Sequence, residues 1–333
     1  MRRMYMKIKL FNVRNDEKAA VDYYSKQLGV ETEITEEELE AEELRKLKGF
    51  DGISVLTHKN VNKELLDALK EANINCISTR TVGFNHIDLN YAKKLGIRVC
   101  NAKYPPNGVA EFTVMLMLIA LRKYKPAMWR QGVNDYSLSG LQGKELGQCT
   151  VGIIGTGRIG QAVLKNLTGF GCKLIAYDPY PQESVQKIAD YVDIDTLFKT
   201  SDIVSLHVPF TEDNRYMINA DNIAKMKKGV LIVNASRGEL VDIDALIEAI
   251  ESEHVGAVAM DVIEDEVGIY HQRRINDIIK NRKMAYLRQF PNVVLTQHMA
   301  FYTNVNVDSM VECSIQGIKE IIETGHSIHE IKL

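Results

Sequence analysis

Tryptophan, proline and paired cysteines are scarce in this chain of 333 residues, which has one Trp, seven Pro and five Cys. Cys76, Cys100, Cys149, Cys172 and Cys313 are scattered with no CxxC pair, which excludes zinc ribbons and disulfide scaffolds. Several lie in apolar strand or helix contexts, where Cys behaves as a small hydrophobe. They read as reduced cytoplasmic thiols. No uncharged apolar run approaches the roughly 18 residues of a membrane span. The nearest, 109–121, contains Glu111 and reads as a buried helix. The first ten residues lack the apolar core of a secretory signal. A net charge of −3 with both signs interspersed gives no footprint for nucleic acid. No histidine pair has metal-ligand spacing, so no metal is expected. Internal repeats and low-complexity linkers are absent as well.

What is present is strand–helix alternation. Strand-like segments at 8–13, 53–56, 76–79 and 97–100 alternate with helix-like segments at 17–28, 63–72 and 87–95. The charged run 36–48 reads as a solvated helix face. After the breaker Tyr104-Pro-Pro-Asn-Gly108, residues 109–122 are almost wholly apolar, as in a helix buried in a core or a subunit interface. A second series places strands at 151–154, 173–177, 203–207, 230–234, 255–261 and 293–296. Helices at 159–167 and 243–250 fall between them. Such alternation predicts α/β architecture with parallel sheets covered on both faces. Residues 266–291 form a basic insertion, read as an amphipathic surface helix and loop, and 304–324 has helical periodicity.

The sharpest motif is Val151-Gly-Ile-Ile-Gly155-Thr-Gly157-Arg158-Ile159-Gly160. An apolar strand precedes it, a helix follows, and a second strand ends in Asp178. That is the setting of a dinucleotide site. Gly155 permits the tight turn, Gly157 lets backbone approach the pyrophosphate, and Gly160 allows close helix–strand packing. The helix start at Arg158 and Ile159 offers N–H groups to phosphates. Asp178 suits the ribose hydroxyls and repels a 2′-phosphate, which favours NAD over NADP. The plainer reading is a glycine turn in an α/β domain without a cofactor.

Three later strands end in polar residues: Arg237, then Asp261 with the acidic run to Glu266, then His298. Ligands of open α/β sheets bind beyond the carboxyl ends of strands. Reduction of a 2-oxo acid needs a proton donor, for which His is suited. It also needs a cation that grips the carboxylate, and Arg does so with a planar fork. A carboxylate beside the His would favour imidazolium. Taken singly, Arg237 could be a surface residue at a helix start, Glu266 a solvated acid and His298 a strand-end histidine. The other histidines, at 58, 86, 207, 254, 271, 326 and 329, read as structural or exposed.

Over essentially its full length the chain resembles the D-2-hydroxyacid dehydrogenases, in the branch of D-lactate and D-2-hydroxyisocaproate dehydrogenases. The residues that carry the resemblance are Ser78-Thr-Arg-Thr-Val-Gly-Phe-Asn-His-Ile-Asp88, Tyr104-Pro-Pro-Asn-Gly-Val-Ala-Glu-Phe112, the glycine turn, Ala235-Ser-Arg-Gly238, Asp261-Val-Ile-Glu-Asp-Glu266 and His298-Met-Ala-Phe-Tyr-Thr303. The resemblance implies a Rossmann NAD domain, 104–300, inserted into a flavodoxin-like substrate domain, 1–103 plus 301–333. It implies Arg237, Glu266 and His298 as the catalytic set. Backbone at Val82 and Gly83 would bind the substrate carboxylate, Tyr104 would line the site, and Leu56 and Phe301 would face the substrate side chain. Asp261 would hold the nicotinamide carboxamide, with His207, Val208, Pro209, Ala235 and Ser236 against the cofactor. The 107–123 helix would build a homodimer. Gln297, Pro106 and Ile263 stand where the family usually has Pro, Ser and an aromatic residue; none removes a reacting group.

These readings converge on a cytoplasmic NAD-dependent D-lactate dehydrogenase that reduces pyruvate or a related 2-oxo acid, with no nucleic-acid or membrane partner. The alternatives are a dehydrogenase for D-2-hydroxyisocaproate, aryl-lactate or 2-hydroxyglutarate, or a non-catalytic NAD-sensing interaction protein.

Overall fold

The computed structural model describes residues 6–57 and 59–332; the readings of the first five residues and of His58 lie outside the described residues. The chain divides into two compact units, Met1–Pro105 with Tyr302–Leu333, and Pro106–Phe301.

The first unit opens with β1 (Met6–Phe11), α1 (Lys18–Leu28), β2 (Val30–Ile34), α2 (Ala41–Lys46) and β3 (Gly52–Val55). It continues through α3 (Lys63–Glu71), β4 (Cys76–Thr79), α4 (Leu89–Leu95) and β5 (Arg98–Asn101). The five strands are parallel in the order β2-β1-β3-β4-β5. Local chemistry sets the boundaries. Gly29 ends α1 in the left-handed conformation, φ +63°, which glycine adopts without a steric penalty. Asn62 and Asp88 cap α3 and α4 by accepting from the N–H groups of Leu65 and Tyr91. The charged run 36–48 is helical only from Ala41 to Lys46, and its Leu39 and Leu44 are buried.

The second unit holds α5 (Asn107–Leu121), α6 (Tyr124–Gly132), β6 (Thr150–Ile154), α7 (Arg158–Leu167), β7 (Lys173–Tyr177), α8 (Glu183–Gln186) and β8 (Asp190–Tyr191). Then come α9 (Ile194–Thr200), β9 (Ile203–Leu206), α10 (Ala220–Lys225), β10 (Val230–Asn234), α11 (Ile243–Glu251), β11 (Val255–Met260), α12 (Arg282–Leu287) and β12 (Val293–Leu295). The seven strands are parallel in the order β12-β11-β10-β9-β6-β7-β8. Two apolar clusters cover the faces of this sheet. The 266–291 insertion is mostly turns, with helix only at α12. The chain returns to the first unit as α13 (Asn304–Thr324).

No helix among the described residues is long and apolar enough to cross a membrane. All five cysteines are free thiols, four of them buried.

One polar group lies deep in the first unit. Arg80 is fully buried, and its Nε donates to Glu17 Oε1 at 2.8 Å. Nη1 donates to Ser54 Oγ at 2.9 Å, and Nη2 to the carbonyls of Phe11 and Asn12 at 2.8 and 3.0 Å. Burial lowers the Arg80 pKa and Glu17 opposes that shift. This fan ties the ends of β1, β3 and β4 together. Removing one partner strands a buried charge, so Glu17→Ala should cost about 3–5 kcal/mol, whereas Glu17→Gln, which keeps an acceptor, should cost less. Hydrogen exchange in β1, β3 and β4 measures this; equal protection in Glu17→Ala and wild type would contradict it.

Candidate active site

In the second unit β6 and β9 are neighbours, while the chain between them runs through β7 and β8 on the far side of β6. Ligands bind at such a reversal of strand order, beyond the carboxyl ends. Gly155 lies there with φ +95°, and a Cβ on it would meet the His207 carbonyl oxygen at 2.6 Å. A Cβ on Gly160 would meet the Gly155 carbonyl oxygen at 2.0 Å. Both positions therefore exclude a side chain. Gly157 caps α7 and would meet nothing within 4 Å, so the space in front of the helix start at Arg158 and Ile159 is open. A turn packed behind and open in front suits a pyrophosphate.

Asp178 follows β7. Its Oδ2 accepts from Thr156 N at 2.6 Å and Thr156 Oγ1 at 3.0 Å, and its Oδ1 accepts from Tyr180 N at 2.8 Å. The acid is thereby bound to the glycine turn itself. Thr156 is a part of the site that motif reading missed, although it sits inside the fingerprint.

His207, Val208 and Pro209 follow β9. His207 Nε2 pairs with Ser205 Oγ at 2.9 Å, and its buried Nδ1 has no hydrogen-bond partner. Burial lowers its pKa to about 4. Ser236 donates from Oγ to the Val208 carbonyl at 2.5 Å, which ties the Ala235–Ser236 segment after β10 to the His207–Pro209 turn. These residues fit a dinucleotide.

Arg237 follows in an extended conformation, and its Nη1 donates to the Ser236 carbonyl at 2.6 Å. The guanidinium thus bonds to the backbone of its own loop. Gly238 has no room for a side chain, since its Cβ would meet Glu264 N at 2.2 Å. That contact presses the Arg237 loop against the segment leading to Glu266.

His298 and Glu266 do meet. His298 Nδ1 donates to Glu266 Oε1, and Glu266 Oε2 accepts from Ile263 N at 3.0 Å. His298 has φ +53°, unusual for a residue with a side chain. Its N–H donates to the Asp261 carbonyl at 2.7 Å. The Asp261 carboxylate, fully buried, accepts from Thr296 Oγ1 at 2.6 Å, Met299 N at 2.9 Å and Ala300 N at 2.7 Å. It holds the His298 loop. His271, read from the sequence as structural or exposed, is exposed, and its Nε2 donates to the His298 carbonyl at 2.9 Å. The rings of His271, His298 and Phe301 form a cluster with centroids 6.0 to 6.3 Å apart. Spacing gave no sign of His271, because the insertion folds back by turns.

In the first unit Leu56, the Val82–Gly83 turn and Tyr104 follow β3, β4 and β5, which are adjacent in that order. They share one edge of that sheet. Among the described residues no group of three His, Cys, Asp or Glu side chains could hold a metal ion.

Parallel sheets with a glycine turn at the reversal of strand order are the frame of a dinucleotide-binding protein, and the family found for this chain makes it an NAD-dependent oxidoreductase. The chain belongs to the D-isomer specific 2-hydroxyacid dehydrogenase family, whose NAD-binding domain matches residues 114–300. It is 41% identical over 317 residues to an aromatic 2-oxoacid reductase of Clostridium sporogenes, covering 95% of this chain and 96% of that one. A D-lactate dehydrogenase structure from Treponema pallidum matches with a TM-score of 0.89 at 33% identity, covering 98% of this chain and 100% of that one. An NAD-complexed D-isomer specific 2-hydroxyacid dehydrogenase from Lactobacillus delbrueckii ssp. bulgaricus matches with a TM-score of 0.87 at 31% identity, covering 98% and 100%.

The His207 shift has a consequence for stability. In the folded protein the ring stays neutral down to a pH of about 4, whereas the unfolded chain takes up that proton near 6.5. Between those values the unfolded state holds more protons, so stability falls as pH falls. The contribution is complete above about 6.5 and lost at about 4. It amounts to at most about 3 kcal/mol. Thermal melts of wild type and His207→Gln across this window should diverge in slope; parallel curves would refute the assignment.

Proposed function

We propose that the protein reduces a 2-oxo acid with an apolar side chain, pyruvate first among them, to the (R)-2-hydroxy acid. The hydrogen-bonded His298–Glu266 pair carries this reading. With Nδ1 directed at Glu266, Nε2 is the nitrogen of His298 that would hand its proton to the substrate carbonyl oxygen. Glu266 stabilises the imidazolium before transfer and keeps the Nδ1–H tautomer after it. Arg237 exchanges its Ser236 carbonyl for the substrate, gripping the carboxylate and polarising the carbonyl. The Val82 and Gly83 N–H groups take the carboxylate, while Tyr104, Leu56 and Phe301 bound the substrate. NADH held at the Gly155–Gly160 turn would supply the hydride. Asp178 favours the unphosphorylated ribose, and the His207–Pro209 and Ala235–Ser236 segments flank the cofactor.

A second reading, an aromatic 2-oxo acid as substrate, is favoured by the His271–Phe301 ring pair beside His298 and by the name of the Clostridium sporogenes relative. A panel of kcat/KM values over pyruvate, 4-methyl-2-oxopentanoate and phenylpyruvate decides between them. Pyruvate is expected to lead; a lead for phenylpyruvate establishes the second reading. His298→Gln should lower kcat by about three orders of magnitude with NADH affinity retained. Unchanged turnover would exclude the proposed proton donor, whereas a wild type that turns over none of the three acids would leave the non-catalytic NAD-sensing alternative.

The proposal includes a homodimer. The 107–123 stretch buries most of its apolar side chains within its own unit, with Met115 turned outward. Trp129, Tyr136 and Leu138, in and after α6, are 69%, 70% and 83% exposed, and large apolar side chains left in solvent suit an interaction surface. Sedimentation should give a dimer for wild type and a monomer for Trp129→Glu/Leu138→Glu; a monomeric wild type overturns this part.

A further inference from the structure

We infer that Asn101 is a positioning residue for the substrate carboxylate, fixing the peptide plane that presents the Gly83 N–H; this rests on the reading of the Val82–Gly83 turn as the carboxylate seat.

The turn follows β4, whose end is anchored by Arg80, with Arg80 N donating to the Val55 carbonyl at 2.8 Å. Beyond it three successive carbonyls are taken. The Thr81 carbonyl accepts from Ala102 N at 3.0 Å. The Val82 carbonyl accepts from Asn101 Nδ2 at 2.7 Å, and the Gly83 carbonyl from Thr81 Oγ1 at 2.6 Å. In a planar trans peptide the C=O and the following N–H point in opposite directions. Holding the Thr81 carbonyl therefore aims the Val82 N–H, and holding the Val82 carbonyl aims the Gly83 N–H. Both N–H groups face away from β5. Consecutive backbone donors with a common direction make a seat for an anion.

The first of these restraints comes from backbone. The second depends on one side chain. Asn101 is buried, and its main chain is fixed from the other side: its N–H donates to the His329 carbonyl at 3.0 Å. β5 is an edge strand, and the C-terminal tail lies along it. Ile331 N donates to the Val99 carbonyl at 2.9 Å, and Cys100 pairs antiparallel with Glu330. Arg98 clamps the tail through the Gly325 carbonyl at 2.9 Å and the Glu330 carboxylate. Restraint thus passes from the tail to β5, from β5 to the Asn101 amide, and from that amide to the turn. Only a side chain of this length with an N–H donor makes the last link. Asp at this position would set a carboxylate against a carbonyl, and Leu would offer no donor.

The test uses the full-length enzyme with Asn101→Asp, Asn101→Leu and Val82→Pro. For each variant, KM and kcat for the best 2-oxo acid, the inhibition constant of oxamate and the Kd of NADH are measured. For the Asn101 variants KM and the oxamate constant should rise about five- to tenfold, the worth of one hydrogen bond, with kcat within about twofold and NADH affinity unchanged. Unchanged KM in both Asn101 variants overturns the inference. So does a rise in KM matched by weaker NADH binding and a lower melting temperature, because Asn101 would then be merely structural. Val82→Pro removes one N–H of the seat. If it raises KM while the Asn101 variants do not, only the positioning role falls. If it leaves KM unchanged, the reading of the turn falls and the inference with it.

Discussion

The 296–300 loop takes its shape from the buried Asp261 carboxylate. Thr296 Oγ1, Met299 N and Ala300 N converge on it, while the Asp261 carbonyl accepts from His298 N. Burial pushes this carboxyl above its ordinary pKa range, and the three donors pull it back. An anion placed there without donors would be unaffordable in an apolar interior; with them it becomes the point on which the loop turns. A left-handed backbone at a residue with a side chain costs about 1–2 kcal/mol, and His298 adopts it. The bonds to Asp261 and the one from His271 hold it there. The imidazole that meets Glu266 is therefore aimed through backbone contacts of its own loop.

Much of this was legible in the sequence, for identifiable reasons. Strands buried on both faces read as apolar runs, so β4, β7 and β10 have the expected limits. The glycine turn was legible because its spacing follows from steric exclusion: side chains at 155 and 160 would strike backbone at 2.6 and 2.0 Å. The strand-end positions of Arg237, Glu266 and His298 followed from the same logic, since parallel strands deliver their carboxyl ends to one side.

What escaped the sequence lay at edges and in turns. β2 has one buried residue and β8 spans two residues, so neither gives an apolar signal. Both are outermost strands, where partial solvation allows polar side chains. The 266–291 insertion reads as a helix and loop, yet it is mostly turns, with helix only at Arg282–Leu287. His271 reaches His298 through that irregular stretch, and no periodicity could announce it. Asn101 was hidden differently: it ends an ordinary strand, and its partner is a carbonyl 19 positions earlier. Side chain-to-backbone bonds across such distances leave no pattern in a single sequence.

The discontinuous first unit also has a physical basis. Val311, Ile315, Ile318 and Ile321 of α13 pack into the apolar cluster over β1, α1 and the two cysteines of β4 and β5. Fully burying side chains of this kind contributes about 1.5–3 kcal/mol each. Ser314 donates to Ser54, the same hydroxyl that accepts from Arg80. Gly317 gives β5 a close approach, since a Cβ there would meet Cys100 Sγ at 3.0 Å. Without α13 this face of the sheet would be open and the Arg80 fan would lose part of its cover. The first unit cannot complete its core until the last stretch of chain has arrived. That same stretch then runs along β5 and pairs with it, so the segment that closes the core also sets the strand from which the Val82–Gly83 turn is held.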